Sequence, residues 1–171
     1  LQLKDIRSFS SLDLRFGVPS ESPGPAQWVL LLGDNGVGKS TILRSLVLAL
    51  ADPDVATALV QTQRSPAPLI RRDASRGSIE VCLDGNRSYA VRIESATGSE
   101  RLRRLNESTE RSALFAYGPL RGSAIGGSAR QVSSSAVGPV ATLFDESAQL
   151  IHAETWLGQR QLAALQSRGG P

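Results

Sequence analysis

The sequence is poor in the residues that build covalent and metal-bound frameworks. Its 171 residues contain one cysteine, Cys82, and one histidine, His152, and they contain no methionine. A lone cysteine excludes an internal disulfide framework and a cysteine metal site, which indicates a protein of a reducing compartment such as the cytoplasm. Because no methionine occurs even at position 1, we expect the chain to be a piece of something longer.

Long apolar runs and signal segments are also missing. No run approaches the ~18 consecutive apolar residues that cross a bilayer, and no basic segment precedes an apolar one at the N-terminus. We therefore expect no membrane partner. The basic residues are almost all arginines, because Lys4 and Lys39 are the only lysines, and the formal charge of +3 is weak evidence for a polyanionic partner. The length predicts one domain over residues 1–171.

The most informative segment is a glycine-rich loop between two apolar segments. Residues 33–41 read Gly-Asp-Asn-Gly-Val-Gly-Lys-Ser-Thr and fit the phosphate-binding pattern G-x-x-x-x-G-K-[ST]. The preceding residues 28–32 form a continuous apolar run, which predicts a strand buried on both faces. Apolar residues then recur at intervals of three and four up to about Ala51, which predicts an amphipathic helix. A strand, a glycine loop and a helix in this order predict a site for a nucleoside triphosphate.

Each residue type in this loop has a chemical role. Glycines permit positive φ angles and a close approach of the backbone to phosphate oxygens. Lys39 can reach the β- and γ-phosphates, the Ser40 hydroxyl can bind Mg²⁺, and Thr41 can donate to the α-phosphate. The alternative is a glycine-rich turn before an ordinary helix with a solvated lysine, and the flanking elements favour the phosphate site. The predicted nucleotide-binding residues are Gly33, Asn35, Gly36, Val37, Gly38, Lys39, Ser40 and Thr41, with Ser40 as the metal ligand.

Alternating apolar and polar residues predict an antiparallel layer of strands. Residues 1–6 and 12–16 alternate in this way, which is typical of half-buried antiparallel strands. Residues 78–83 and 89–93 alternate on either side of the turn signal at residues 84–86, which predicts a hairpin.

The remaining segments are predicted from composition and spacing. Residues 54–76 are expected to be irregular, residues 99–110 charged and exposed, and residues 118–139, rich in glycine, serine and alanine, mobile. A second buried strand is expected at residues 113–117. From Leu143 onward apolar residues fall seven apart, which predicts a long amphipathic helix.

Two strands around an Arg-Ser-Phe turn at residues 7–9, followed by the glycine loop, resemble the start of an ATP-binding-cassette ATPase head of the Rad50, SMC and RecF type. Residues 115–121, 142–146 and 154–157 are similar to bacterial AAA-type ATPases of that group, many of which act in DNA repair or phage defence. The resemblance implies an α/β P-loop NTPase fold, in which an antiparallel β layer packs on a central nucleotide-binding sheet. It also implies Mg²⁺ and ATP as ligands, a second ATPase head as partner, and DNA as a further candidate partner.

Heads of this family also carry a signature segment, a Walker B strand ending in Asp-Glu, and a switch histidine. Residues 140–146 superficially match the Walker B strand, so that Asp145 would hold Mg²⁺ through water and Glu146 would polarise the attacking water. The alternative places both acids in the first turn of the final helix, where they complement the helix dipole. Pro139 at the start of the run favours this alternative. We therefore expect an N-terminal lobe whose catalytic parts lie beyond Pro171, and no catalytic residue is assigned.

Residues outside the loop have competing interpretations. Arg7 stands where related heads place a basic residue near the phosphates, or it is a solvated turn arginine. Arg121 is the candidate substitute for a γ-phosphate-sensing glutamine of those heads, and Trp28 is expected in the core or at a sheet edge. A solvated face is favoured over a nucleic-acid platform for the basic cluster of Arg101, Arg103, Arg104 and Arg111.

Two functions follow from these observations. The favoured one is an ATPase head lobe that binds Mg²⁺ and ATP and hydrolyses ATP only after pairing with distal motifs or a second head. The other is a nucleotide-dependent binding module, in which ATP occupancy controls docking of a protein or DNA partner and hydrolysis is dispensable.

Overall fold

The computed structural model describes residues 1–16, 28–62, 68–83, 87–96, 99–106, 114–118, 138–145 and 161. The chain divides into two compact units, Leu1–Phe115 and Ala116–Pro171. Within the described ranges, no helix is long and apolar enough to span a membrane.

The first unit is built on a five-stranded antiparallel sheet. Its strands are β1 (Gln2–Ile6), β2 (Phe9–Asp13), β3 (Arg76–Leu83), β4 (Arg87–Ala96) and β5 (Ser99–Arg104), in the order β2-β1-β3-β4-β5. Every neighbouring pair is antiparallel. The predicted antiparallel layer and its β3–β4 hairpin are therefore confirmed.

The second strand begins earlier than its apolar pattern predicts. We expected a strand at residues 12–16, but β2 spans Phe9–Asp13 and pairs Phe9 with Ile6. The chain reverses within residues 7 and 8, because Arg7 has a φ of 47° in the left-handed region. The backbone conformation at Arg7 therefore sets which residues of β1 and β2 pair with each other.

Part of the charged segment after β4 is a strand, and its expected exposure is confirmed for alternate residues of that strand. Along β5, half-buried residues alternate with exposed ones, and the half-buried set is Glu100, Leu102 and Arg104. The two charged members have hydrogen-bond partners, because Glu100 accepts from Leu69 and Ile70, and Arg104 donates to Ala49 and Ala51. Partnered charges let this strand form the edge of the sheet.

Two helices follow the glycine loop. The first, α1 (Lys39–Leu50), confirms the predicted amphipathic helix and buries Ile42, Val47, Leu48 and Ala49. The second, α2 (Pro53–Thr62), lies in a segment that was predicted irregular, and that prediction is wrong. Pro53 occupies the first helical position, where its missing N–H is not needed, and Asp54 lies in the first turn. The proline that follows the end of α1 is therefore also the first residue of α2.

The core of the first unit lies between one sheet face and these helices. Helix α1 contacts β3 and β4, and α2 contacts β5. Fully or almost fully buried sheet residues are Leu3, Ile6, Ile79, Val81, Val91 and Ile93, and the helices contribute Leu48, Ala56 and Leu59. The opposite face of the sheet carries exposed residues such as Lys4, Glu80 and Arg103.

Both predicted buried strands differ from expectation. Residues 28–32 are in no strand, and Trp28, Leu30 and Leu32 are 98%, 80% and 83% exposed. At residues 114–118 no strand occurs either, and Phe115 and Tyr117 are 67% and 52% exposed. A strand that is apolar on both faces needs neighbours on both edges and cover on both faces, and the antiparallel sheet of the described residues does not provide them. The expectations of buried strands and of Trp28 in the core are wrong.

In the second unit the described residues 138–145 are helical rather than extended. A short 3₁₀ turn (Gly138–Val140) leads into α3 (Ala141–Phe144), and the Asp145 N–H donates to the carbonyl of Ala141 at 2.9 Å. The Walker B strand reading is therefore wrong at these residues. Asp145 ends α3, and the alternative that it lies in the first turn of the final helix stays a prediction, because the residues that follow it fall outside the described part of the chain. Expectations for Arg111, Arg121, Glu146 and the rest of the long helix fall outside the described residues.

Candidate nucleotide-binding site

The glycine loop turns sharply between residues 33 and 38. Gly36 and Gly38 have φ angles of 86° and 102°, in the left-handed region that side chains with a Cβ rarely adopt. A Cβ at Gly36 would meet no atom within 4 Å, so the space beside this residue is open. The two glycines therefore give the backbone a shape that leaves room for a ligand against the main chain.

The Lys39 side chain closes this loop. Its Nζ atom donates hydrogen bonds to the carbonyl oxygens of Gly33 and Asp34, both at 2.6 Å. These bonds bring the ammonium group to the start of the loop, although the lysine itself begins α1. The structure thus places a positive charge across the mouth of the loop.

The start of α1 presents backbone donors. Gly38 is the N-cap, no side chain caps the helix, and no acidic residue lies in the first turn. The first bond within the helix runs from the Ile42 N–H to the Gly38 carbonyl at 3.0 Å, so helix geometry leaves the earlier N–H groups without intrahelical acceptors. The positive end of the helix dipole is not offset by a neighbouring side-chain acid, which favours an anion at this position.

The two hydroxyl residues of the first turn differ in accessibility. Ser40 is exposed, whereas Thr41 is 7% exposed. The Ser40 hydroxyl is therefore the more available to a metal ion held at the loop. Among the described residues, no group of three or more His, Cys, Asp or Glu side chains could bind a metal, and Mg²⁺ commonly takes few protein ligands and uses phosphate oxygens for others. The exposed serine beside Lys39 fits that mode.

The turn between β1 and β2 lies against the loop, a contact that the sequence pattern did not predict. A Cβ at Gly38 would lie 2.5 Å from Phe9 Cζ, 2.7 Å from Phe9 Cε2 and 3.1 Å from Ser8 Oγ. The turn and the loop are 30 residues apart in the chain, and no spacing rule connects them. In the sequence, the Arg-Ser-Phe segment before the glycine loop indicated a resemblance to a family of proteins. It did not predict that the two segments are in contact.

Arg7 in the same turn is half-buried, so the solvated alternative for this residue is wrong. Burial lowers the pKa of its guanidinium, and the nearby Arg44 cation lowers the pKa further, while the Glu100 carboxylate acts in the opposite direction. Its backbone N–H donates to the Leu69 carbonyl at 2.8 Å. Arg7 therefore lies in a charged cluster beside α1, and its expected proximity to phosphates stays a prediction.

The arginines of β5 do not form one patch. Arg101 and Arg103 are exposed, and the choice of a solvated face over a nucleic-acid platform stays a prediction for these two. Arg104 points to the other side, where its Nη2 atom donates to the carbonyl of Ala49 at 3.0 Å and to that of Ala51. These acceptors end α1, and a cation there complements the negative end of the helix dipole.

In the first unit, a glycine loop closed by a lysine leads into an uncapped helix N-terminus, beside an antiparallel sheet. The chain matches the family model described as AAA domain over residues 1–133. It therefore belongs to this family of the P-loop ATPase superfamily.

One curated relative adds context. The chain is similar to Septu protein PtuA of Bacillus mycoides (strain KBAB4), with 26% identity over 121 residues. The aligned region covers 71% of this chain and 16% of the relative, so the chain spans a small part of that protein's length. No solved structure matches the chain significantly.

Proposed function

We propose that this chain is the Mg²⁺- and ATP-binding domain of an ATPase of the SMC, Rad50 and RecF type. The observation that carries the proposal is the bridge from Lys39 Nζ to the Gly33 carbonyl, which positions a cation beside an uncapped helix N-terminus. Both features are complementary to a triphosphate.

The proposed roles follow the order of the residues. Backbone amides of the loop, from Gly33 through Asn35 and Val37 to Thr41, would cradle the phosphates, and Lys39 would contact the β- and γ-phosphates. Ser40 would bind Mg²⁺ together with phosphate oxygens. The ion would neutralise phosphate charge when bound.

The exposed apolar segment before the loop supports a role for further polypeptide. Trp28, Leu30 and Leu32 are all at least 80% exposed, although their run has the composition of a fully buried strand. We propose that elements from distal segments or a second head cover these side chains. We therefore propose that ATP hydrolysis requires such pairing, and that the isolated chain binds ATP with little turnover. Among the settings of the group it resembles, DNA repair and phage defence are the candidates, with DNA as a candidate partner.

Nucleotide titration of the purified chain tests the binding part. Wild-type protein and the Lys4→Ala variant should bind ATP with Mg²⁺ equally, whereas Lys39→Ala should lose most of the affinity. Lys4 is the matched control, because it is the other lysine and lies exposed on β1. Equal binding by all three proteins would overturn the site.

Steady-state phosphate release tests the pairing part. The chain alone should release phosphate at the background rate. Measurable turnover that disappears in Glu146→Gln would show that this chain already contains its catalytic acid, and it would overturn the requirement for pairing.

A nucleotide-dependent binding module is the second candidate. One observation favours it, because Asp145 ends a short helix and does not follow a strand as a Walker B acid does. In this case ATP occupancy alone would control docking of a protein or DNA partner. In the longer protein, a variant that binds but does not hydrolyse ATP should then stay active while Lys39→Ala does not. Equal loss of activity in both variants would exclude this alternative.

A further inference from the structure

The Phe9 ring lies against Gly38 of the glycine loop. The ring edge occupies the volume next to Gly38, where a Cβ would lie 2.5 Å from Cζ. Real Cβ atoms do not approach carbon atoms this closely, so a side chain at position 38 would displace the ring or the loop. Two features therefore favour glycine at position 38: the φ angle of 102° and the Phe9 ring beside the Cβ position.

The turn that carries Phe9 is strained. Asp5 and Arg7 have φ angles of 52° and 47°, and both are residues with a Cβ in the left-handed region. Such residues persist where the surrounding structure holds them, and they are common at functional sites. The positive φ angles of Asp5 and Arg7 therefore indicate that this turn has a functional role.

Hydrogen bonds to an adjacent segment hold the turn in place. The Arg7 N–H donates to the Leu69 carbonyl at 2.8 Å, and the Arg71 N–H donates to the Asp5 carbonyl at 2.9 Å. A β-bridge also joins Ile6 to Ile70. These contacts tie the residues that precede Phe9 to residues 69–71.

That segment is itself anchored to the edge of the sheet. The Glu100 carboxylate of β5 accepts the N–H of Leu69 at 2.8 Å and the N–H of Ile70 at 2.7 Å. Hydrogen bonds from backbone donors to a carboxylate are among the stronger ones. A continuous path of contacts therefore runs from β5 through residues 69–71 and the β1–β2 turn to Gly38.

We propose that Phe9 is a positioning residue for nucleotide binding: the ring, presented by the β1–β2 turn, holds Gly38 and the first turn of α1 in the conformation that accepts a triphosphate. The proposal rests on the nucleotide-binding function proposed above. It assigns a role in that binding to a residue that contacts the loop, and it does not require Phe9 to touch the nucleotide.

Two measurements on the Phe9→Ala variant test this role. The Kd for ATP with Mg²⁺ should rise between about tenfold and about hundredfold, because small displacements of a binding group have effects of this size. Hydrogen–deuterium exchange of the amides at residues 36–41, in protein without nucleotide, should accelerate, while exchange in β3 and β4 stays unchanged. The matched control is Phe16→Ala, which removes a phenylalanine that is 39% exposed and is not among the nearest neighbours of a Cβ at Gly38, and it should change neither quantity.

A double-mutant cycle adds a test of the contact itself. Gly38→Ala introduces the collision with the ring, and Phe9→Ala removes it, while the φ strain at position 38 is the same in both backgrounds. The loss of ATP affinity caused by Gly38→Ala should therefore be smaller in the Phe9→Ala background. Additive effects would contradict a direct contact.

The outcomes separate this proposal from the one on which it rests. A folded Phe9→Ala protein with wild-type affinity and wild-type exchange would overturn the positioning role. If the wild-type protein does not bind ATP, the binding function fails, and the exchange measurement still decides whether Phe9 holds the loop. Should Phe9→Ala not fold, Phe9→Leu keeps apolar bulk without the ring edge and is measured in the same way, with unchanged exchange again overturning the role.

Discussion

The Lys39 ammonium donates a 2.6 Å hydrogen bond to the carbonyl oxygen of Gly33, and so joins the two ends of the phosphate loop. A second hydrogen bond of the same length runs from the ammonium to the carbonyl oxygen of Asp34. Two acceptors restrict the conformations of this side chain, and a restricted side chain loses less entropy on binding than a freely moving one.

The first prediction concerns the accessibility of Lys39. Acetylation with an amine-reactive ester should modify both Lys4 and Lys39 in the protein without nucleotide, since both are surface residues of the structure. ATP with Mg²⁺ should protect Lys39 and leave Lys4 unaffected. Peptide mass spectrometry resolves the two sites easily, because the chain has no other lysine. Protection of both lysines, or of neither, would contradict a bound triphosphate at the loop.

The second prediction compares two glycines of the loop. Gly36→Ala places a Cβ in open space, so its cost to the free energy of unfolding is that of the positive φ alone, about 1–2 kcal/mol. Gly38→Ala adds a collision with Phe9 and should cost about 1–3 kcal/mol more. Urea unfolding of the two variants measures the difference. Equal costs would show that the ring moves aside freely.

The third prediction concerns the carboxylate that anchors residues 69–71. Glu100→Ala leaves the Leu69 and Ile70 N–H groups without their acceptor and should lower the free energy of unfolding by about 1–3 kcal/mol. Glu80→Ala removes an exposed glutamate from β3 and should change the stability by less than about 0.5 kcal/mol. Chemical denaturation of both variants is the measurement. A loss of similar size in Glu80→Ala would mean that removing a charge, and not the anchor, has the effect.

The fourth prediction uses two adjacent arginines of β5. Arg104→Ala removes the donor to the last carbonyls of α1 and should destabilise the protein by about 1–3 kcal/mol. Arg103→Ala removes the same charge from an exposed position and should cost less than about 0.5 kcal/mol. The ranking is read from thermal or denaturant unfolding. If the two variants are equally stable, the cation at the end of α1 contributes nothing measurable.

The fifth prediction concerns the exposed apolar segment before the loop. Leu30→Glu should leave the stability of this chain within about 0.5 kcal/mol of wild type, because the Leu30 side chain is 80% exposed. In a longer protein that covers this segment with further strands, the same substitution should abolish ATP hydrolysis. Denaturation of the chain and phosphate release by the longer protein provide the two readings. Full hydrolysis by the longer variant would exclude the proposed cover.

Several elements could be predicted from the sequence because their signals are local. The helix α1 and the β3–β4 hairpin have clear apolar periods, and each is bounded by residues that start or end an element. The loop motif needs eight consecutive residues and no long-range contact. Errors occurred where a signal had two meanings, as at Pro53, which ends one helix and begins the next.

Other features depend on contacts between distant segments. Glu100 and Arg104 look like parts of a solvated charged run, but tertiary contacts supply acceptors and donors that make β5 a strand. The prediction for residues 28–32 is wrong for the opposite reason. Their apolar composition predicts a buried strand, but the described residues provide no strand to pair with it. A sequence pattern shows which secondary structures a segment can adopt, and the contacts with neighbouring segments determine which one it adopts.

By itself the sequence determined a helix that starts at the lysine and predicted a phosphate site before it, from glycines, a lysine and a serine in an order suited to phosphate. Tertiary structure alone decided that Phe9 lies against Gly38 and that Glu100 holds the segment behind the turn. The reason is physical. A phosphate site is made from consecutive backbone amides and therefore appears in one short stretch, whereas its support comes from residues that only the folded chain brings together.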